Sequence, residues 1–259
     1  MKESLLPKKL PEQQPKEKIE KLFDHCFEIH KLEESDHIPV GGSMLSSETN
    51  IEVIGDFNNL KDFFEETSKL EEGYDLPKIK EQLVSNGVGI KEETFANLIA
   101  FQRNYDKNYP ANPHASATRS NLYKERYKGK EINLSDIFKA NIAECAEIAA
   151  LAQFYLQQKC INCSYFSGEV LWNRDDEFGE AHSFLILKDN GKTYIYDPTN
   201  PLTMPKGKFP SLYTTDKDFD KEVRLGQKKF VTAKNIVTGT EAFYGVGSNT
   251  NVDPDRHIV

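Results

Sequence analysis

Three residues in this chain, Cys145, His182 and Asp197, have the types and the order needed for nucleophilic chemistry. Cys145 lies in Asn141-Ile142-Ala143-Glu144-Cys145-Ala146-Glu147-Ile148, which reads as the capped start of a buried helix. Asn141 is a favoured N-cap type, and Glu144 three positions later completes a capping-box pattern. The first-turn amides of a helix have no intrahelical partners and form the positive end of its dipole. A thiol held there is favoured as thiolate, the form that attacks carbonyls. In such a constellation His182 takes the proton and returns it to the leaving amine. Asp197 orients the imidazole and stabilises its charged form. The amide of Cys145 is a first donor to an oxyanion. The second donor stays unassigned, because the Asn141 side chain is claimed by the cap.

A hairpin argument brings the histidine to the carboxylate. Asn190-Gly191 between the apolar runs 181–188 and 192–197 predicts a two-residue turn. Asp189 then faces Lys192 and Lys188 faces Thr193. Further down the ladder Phe184 faces Asp197, and His182 is diagonal to Asp197 on the same side of the sheet. Diagonal neighbours lie about 7–8 Å apart, within reach of long side chains. A slip of one residue would put the two on opposite faces. Ile186 and Ile195 share their face, which the Cys145 helix is expected to cover. The other face carries Leu185, Leu187, Tyr194 and Tyr196. With both faces apolar, the hairpin reads as central and covered on both sides.

The elements around these residues follow from periodicity. The helix is expected over 142–158, with Ile148, Leu151, Ala152, Tyr155 and Leu156 as its buried stripe. A short turn or helix, 134–138, leads into it. Ser164–Trp172 reads as a strand, 173–180 as an acidic rim loop beside His182, and 222–232 and 235–244 as later strands. Cys160-Ile161-Asn162-Cys163 has redox or zinc spacing, but it follows a helix and no second pair completes a zinc set. It reads as a helix exit into a strand. Upstream, residues 1–17 form a flexible, charged, Pro-containing tail. Residues 18–130 read as a mostly helical N-terminal region, with helices at about 19–32, 57–71, 77–86 and 92–106. His25, Cys26 and His30 are read as packing residues, since nothing nearby completes a metal site. Residues 36–50 read as a Gly- and Ser-rich loop, Ile51–Ile54 as a short strand and 114–130 as a solvated connector. The core is expected over 131–245, and 246–259 as a loose C-terminal tail.

Composition narrows the function classes. The 259 residues carry 33 Lys and Arg against 41 Asp and Glu, a net charge of −8. That balance argues against nucleic acid and against anionic membrane surfaces as partners. No apolar run approaches the roughly 20 residues of a membrane span, and the N-terminus lacks a signal-peptide core. Four cysteines are too few for a disulfide scaffold at this length. A cytoplasmic protein with no cofactor and no metal is expected. Delivery by a route without a cleavable signal remains open.

Glu144-Cys145-Ala146 at a helix start, Ala181-His182-Ser183-Phe184 opening a strand, and Tyr194-Ile195-Tyr196-Asp197-Pro198-Thr199 closing the next resemble the transglutaminase-like superfamily of papain-type folds. The resemblance covers about 135–200. It departs from the family pattern at the residues flanking the cysteine and at Ser183, where aromatic residues are common. It implies an α+β fold in which a cysteine-bearing helix packs on an antiparallel sheet, and a Cys145–His182–Asp197 triad. It also implies acyl transfer on protein or peptide amides, by glutamine deamidation, amide hydrolysis or cross-linking. A cysteine peptidase, a catalytically silent interaction module and a bacterial effector that deamidates a host protein are the alternatives.

Overall fold

The computed structural model describes residues 19–23, 26–38, 53–112, 131–173, 179–205, 207–215, 219, 223 and 230–246. The readings for the tail 1–17, His25, most of the loop at 36–50, the connector 114–130, the centre of the acidic loop and the tail from 247 lie outside these residues. Within them the chain is α+β. Its elements are β1 (Ile19–Phe23), β2 (Cys26–Ile29), β3 (His37–Ile38), β4 (Val53–Ile54), α1 (Lys61–Glu72), α2 (Leu76–Ser85), α3 (Glu92–Asn108), β5 (Ile132–Asn133), α4 (Leu134–Lys139), α5 (Cys145–Gln158), β6 (Cys163–Leu171), β7 (Glu180–Asp189), β8 (Lys192–Met204), β9 (Gly207–Thr215), β10 (Phe230–Asn235) and β11 (Glu241–Gly245). A 3₁₀ turn, Phe57–Leu60, precedes α1.

Six strands close on themselves in the order β6-β11-β10-β9-β8-β7, with β7 paired back to β6. The sheet expected from the sequence is therefore an antiparallel barrel. One edge of β6 runs along β7 from Cys163 to Val170. The other edge is shared: β2 lies beside residues 165–167 and β11 beside 169–171. Gly168 sits at the changeover, where a Cβ would stand 2.3 Å from the Gly245 carbonyl oxygen, so only glycine permits that approach. Strand β9 has no counterpart in the sequence reading, and β8 runs seven residues beyond its expected end at Asp197.

The expected helix over 19–32 is not formed. Those residues make the antiparallel pair β1–β2. Helical spacing of Ile19, Phe23 and Phe27 is outweighed by the open edge of β6, whose backbone groups need partners. β2 supplies them in the register Phe27↔Ser167 and Ile29↔Tyr165. Glu28, 1% exposed, accepts a hydrogen bond from the Ser164 hydroxyl. The other helices lie close to their expected places. Asp75 caps α2 by accepting from the Lys78 amide at 3.1 Å, and Pro77 stands in its first turn. Leu134–Lys139 is the short helix expected before the cysteine.

The buried side chains of α5 lock the outer face of the barrel to the helical layer. Leu151, Tyr155 and Leu156 are completely buried in one cluster with Phe64, Phe101, Tyr165, Leu185, Leu187, Tyr194 and Tyr196. The Tyr155 hydroxyl donates to Asn97 Oδ1 of α3 at 2.7 Å, which removes the cost of burying it. The barrel interior holds a second cluster that includes Phe166, Phe184, Ile186, Ile195 and Tyr244. This reverses an expectation. Helix α5 covers the face of Leu185 and Tyr196, and Ile186 and Ile195 point into the barrel. Both sides carry aromatics, Tyr194 and Tyr196 outside and Phe166, Phe184 and Tyr244 within, and the small residues Ala149 and Ala152 let α5 lie close to the outer face. Among the described residues no helix is long and apolar enough to cross a membrane.

Candidate active site

The hairpin register is the one the Asn-Gly turn demands. Asn190 and Gly191 both have positive φ, +48° and +72°, as a type I′ turn requires. Asp189 pairs with Lys192, Ile186 with Ile195 and Leu185 with Tyr196. That register carries His182 and Asp197 to the same side, where the imidazole Nε2 stands 2.9 Å from Asp197 Oδ2. Both groups are buried, Asp197 completely.

Cys145 arrives from a different element. It is the first residue of α5, half-buried, and the Glu144 amide before it donates to the Glu147 carboxylate at 3.1 Å. The capping box therefore lies one turn later than the sequence suggests. Asn141 instead ends α4, with φ +53°. Its amide bonds the Phe138 carbonyl and the Ile142 amide bonds the Ile137 carbonyl, a Schellman closure. Its side chain donates to the Pro110 carbonyl at 3.0 Å, which removes it as a cap. The five residues between the two helices, 140–144, turn the chain so that the thiol comes close to His182 near the start of β7.

There the sulfur meets the histidine. Cys145 is close enough to act on the His182 ring both as a hydrogen-bond partner and as a charge. Burial pulls the imidazole pKa down. The Asp197 carboxylate, by charge and by hydrogen bond, and then the Cys145 sulfur outweigh it and raise the value to about 10. His182 thus carries its proton at neutral pH. Burial works against ionisation of Asp197 as well, yet the histidine charge and the hydrogen bonds around it hold the carboxyl below its ordinary range. The sequence-predicted trio is therefore brought together, although α5 and His182 belong to opposite faces of the strand. The rim position, two residues into β7, lets the ring meet a group from outside the barrel.

Four residues that sequence reasoning gave no role complete the surroundings. The Asp197 carboxylate is saturated. Oδ1 accepts from the backbone amides of Thr199 and Asn200 at 3.1 and 3.3 Å. Oδ2 accepts from Asn200 Nδ2 at 3.0 Å and from the Tyr244 hydroxyl at 3.1 Å, besides His182. Gln102 of α3 holds the same turn, donating to the Pro198 carbonyl at 3.2 Å and accepting from the Tyr196 hydroxyl at 3.1 Å. Trp172 sets its ring edge-on to His182 at 6.0 Å and donates to Glu180 at 3.0 Å. An Asp followed by two residues and an Asn was a local signal for the first of these. Trp172 was placeable from the antiparallel return, since Val170 pairs with Glu180. Tyr244 lies 47 residues from Asp197 and had no local signal.

The other cysteines stand in different surroundings. Cys26 and Cys163 are buried, and burial pushes the Cys163 thiol up to about 12. Cys160 is exposed at the C-terminal closure of α5, with φ +56°. The Cys160–Cys163 segment is thus the helix exit into a strand that its position suggested. The arrangement at the rim offers a partly exposed sulfur, a protonated imidazole and a carboxylate with every acceptor position engaged. Chemically it can deliver a nucleophile and a proton to the same carbonyl substrate. No family model matches this sequence, and no curated protein matches it.

Proposed function

We propose that this protein is a thiol-dependent acyltransferase or hydrolase acting on protein or peptide amides, with a transglutaminase-like, papain-type core. Cys145 is its nucleophile, His182 its acid and base, and Asp197 the group that orients the imidazole. The observation that carries the reading is the 2.9 Å bond from His182 to Asp197 on a ring that also faces the Cys145 sulfur. A buried helix that starts at the cysteine and packs on antiparallel strands supports the family likeness.

In the first step the Cys145 thiolate, whose proton is held on His182, forms a bond to the amide carbon. The carbonyl electrons move to oxygen, where the first-turn amide of α5 donates to the oxyanion. The C–N bond then breaks, and the proton on His182 goes to the departing amine, leaving a thioester. Water, or a second amine, gives up a proton to the now neutral imidazole and attacks the thioester, which frees the thiol. Throughout, Asp197 keeps Nε2 engaged and so fixes the orientation of the ring beside the sulfur.

Intact-mass analysis of glutamine-containing proteins after incubation tests the reading. A gain of about 1 Da marks side-chain deamidation, a loss of about 17 Da cross-linking, and fragments peptide-bond cleavage. None of these in any substrate, with Cys145 no more reactive than Cys160, would make the fold an interaction module.

A further inference from the structure

Beside the triad lies a pocket of about 200 Å³ that the chemistry above does not use. Its walls include residues close in the chain to two members of the triad. Ala143 lies two residues before Cys145, ahead of α5, Ile148 lies three residues after it in the helix, and Pro198 and Thr199 follow Asp197. Ile148 is three residues beyond the nucleophile and so on the same side of the helix, where neighbouring Cβ atoms are about 5–6 Å apart. The Thr199 amide bonds the Asp197 carboxylate at 3.1 Å. Lining residues so near Cys145 and Asp197 in the chain bring the pocket within reach of the residues that neighbour one acylating the thiol, consecutive Cα atoms being about 3.8 Å apart.

The lining states what fits. Tyr105 and Tyr109, with ring centroids 5.4 Å apart, form one wall, and Pro110, Pro198 and Pro201 add rigid apolar surface. An apolar cavity of about 150 Å³ holds a benzene ring, so this pocket, which Gln102, Asn112 and Asn141 also line, has room for one large side chain. One carboxylate, Asp106, and one ammonium, Lys208, lie in the lining, and Lys208 is engaged by the Thr203 hydroxyl at 2.9 Å. The pocket therefore has no net charge with which to select an ionic group. The Thr199 hydroxyl oxygen is buried without a hydrogen-bond partner, a polar group on the same wall that the protein itself leaves unmet.

From these observations we infer that the pocket is a specificity subsite for a bulky apolar side chain, aromatic or branched aliphatic, next to the residue whose amide is attacked. The inference rests on Cys145 as the nucleophile, and it names the substrate class: peptides or proteins with Phe, Tyr or Leu adjoining the reactive residue. The fixed prolines and the tyrosine pair give a site that changes little on binding, which keeps the ordering cost low.

Pentapeptides whose central side chain ends in a chloromethyl ketone test this on the full chain. The thiol displaces chloride, an S–C bond replaces C–Cl, and no turnover is needed. The flanking residues are Phe, Gly, Lys or Asp, and each rate is divided by that variant's own iodoacetamide rate at Cys145. The Phe peptide should inactivate the wild type at least about 10-fold faster than the Gly peptide, a discrimination of the size expected for filling an apolar pocket. In Tyr109→Ala that ratio should fall below about threefold. Pro201→Ala, which removes wall surface without a hydrogen bond, should lower it as well and serves where Tyr109→Ala does not fold. Equal rates for Phe and Gly in the wild type, faster reaction with Lys or Asp, or a ratio unmoved in both variants would overturn the subsite. Absence of selective iodoacetamide labelling at Cys145 would instead remove the nucleophile, and the subsite with it.

Discussion

The two ends of the β7–β8 hairpin each hold a buried carboxylate, and they are put to different uses. At the turn, Asp189 accepts from the Lys91 amide at 2.9 Å and lies 3.6 Å from its ammonium, while Asn190 donates to the Gly89 carbonyl. These bonds clip the hairpin tip to the start of α3. At the open end, Asp197 accepts from five donors, one of them an imidazole facing a thiol. The residue type is the same and so is the ladder. The difference lies in what the tertiary structure brings across: a lysine and a backbone amide at one end, a titratable ring and a sulfur at the other. On the function proposed above, the same buried carboxylate fastens the chain at one end and orients a reacting ring at the other.

The comparison breaks first at the thiol. Cys145→Ala should abolish turnover with the melting temperature little changed, and His182→Ala should lower turnover by about 10³-fold or more. Turnover near the wild-type rate after either change would place the chemistry elsewhere. The two carboxylates separate next. Asp197→Asn should slow Cys145 chemistry by roughly 10²-fold or more, because the amide no longer stabilises the imidazolium. Asp189→Asn should leave the alkylation rate of Cys145 within about threefold while costing about 1–3 kcal/mol in urea unfolding, the range for weakening a buried hydrogen-bonded group. The reverse assignment of effects would dissolve the contrast.

Labelling of the four thiols sharpens the contrast at a smaller scale. Near pH 7 iodoacetamide should modify Cys145 about tenfold faster than exposed Cys160, with Cys26 and Cys163 protected until unfolding. Peptide mapping of a time course reads the order. The stability lent by the His182–Asp197 pair should also follow pH. The histidine part is fully present below its ordinary value of 6.5 and is lost as pH rises through about 10. The aspartate part is present above 3.8 and is lost as pH falls through its lowered folded value. The unfolding difference between the wild type and Asp197→Asn should therefore be widest between about pH 4 and 6.5 and narrow on both sides. The smallest effect lies at the turn, where Gly191→Ala, at φ +72°, should cost about 1 kcal/mol and leave Cys145 reactivity alone.

The sequence by itself determined the local geometry of the site. An Asn-Gly pair requires positive φ at two successive positions, and the period-two alternation of a strand then settles which residues share a face. His182 and Asp197 were paired by those two rules alone, without knowledge of any distant residue. The start of α5 was legible to within one turn; the shift of its cap from Asn141 to Glu144 depended on Pro110 and Asn112, which bind Asn141 from another part of the chain. Whatever depended on distant partners needed the tertiary structure. Residues 19–29 carry helical spacing but became strands, because β6, some 140 residues away, offered an unpaired edge. The sequence put α5 over Ile186 and Ile195, but with both faces apolar nothing local fixed the choice, and the structure puts it over Leu185 and Tyr196. Tyr244 reaches Asp197 only because the sheet closes into a barrel, and closure is a property of all six strands that no local window of sequence contains.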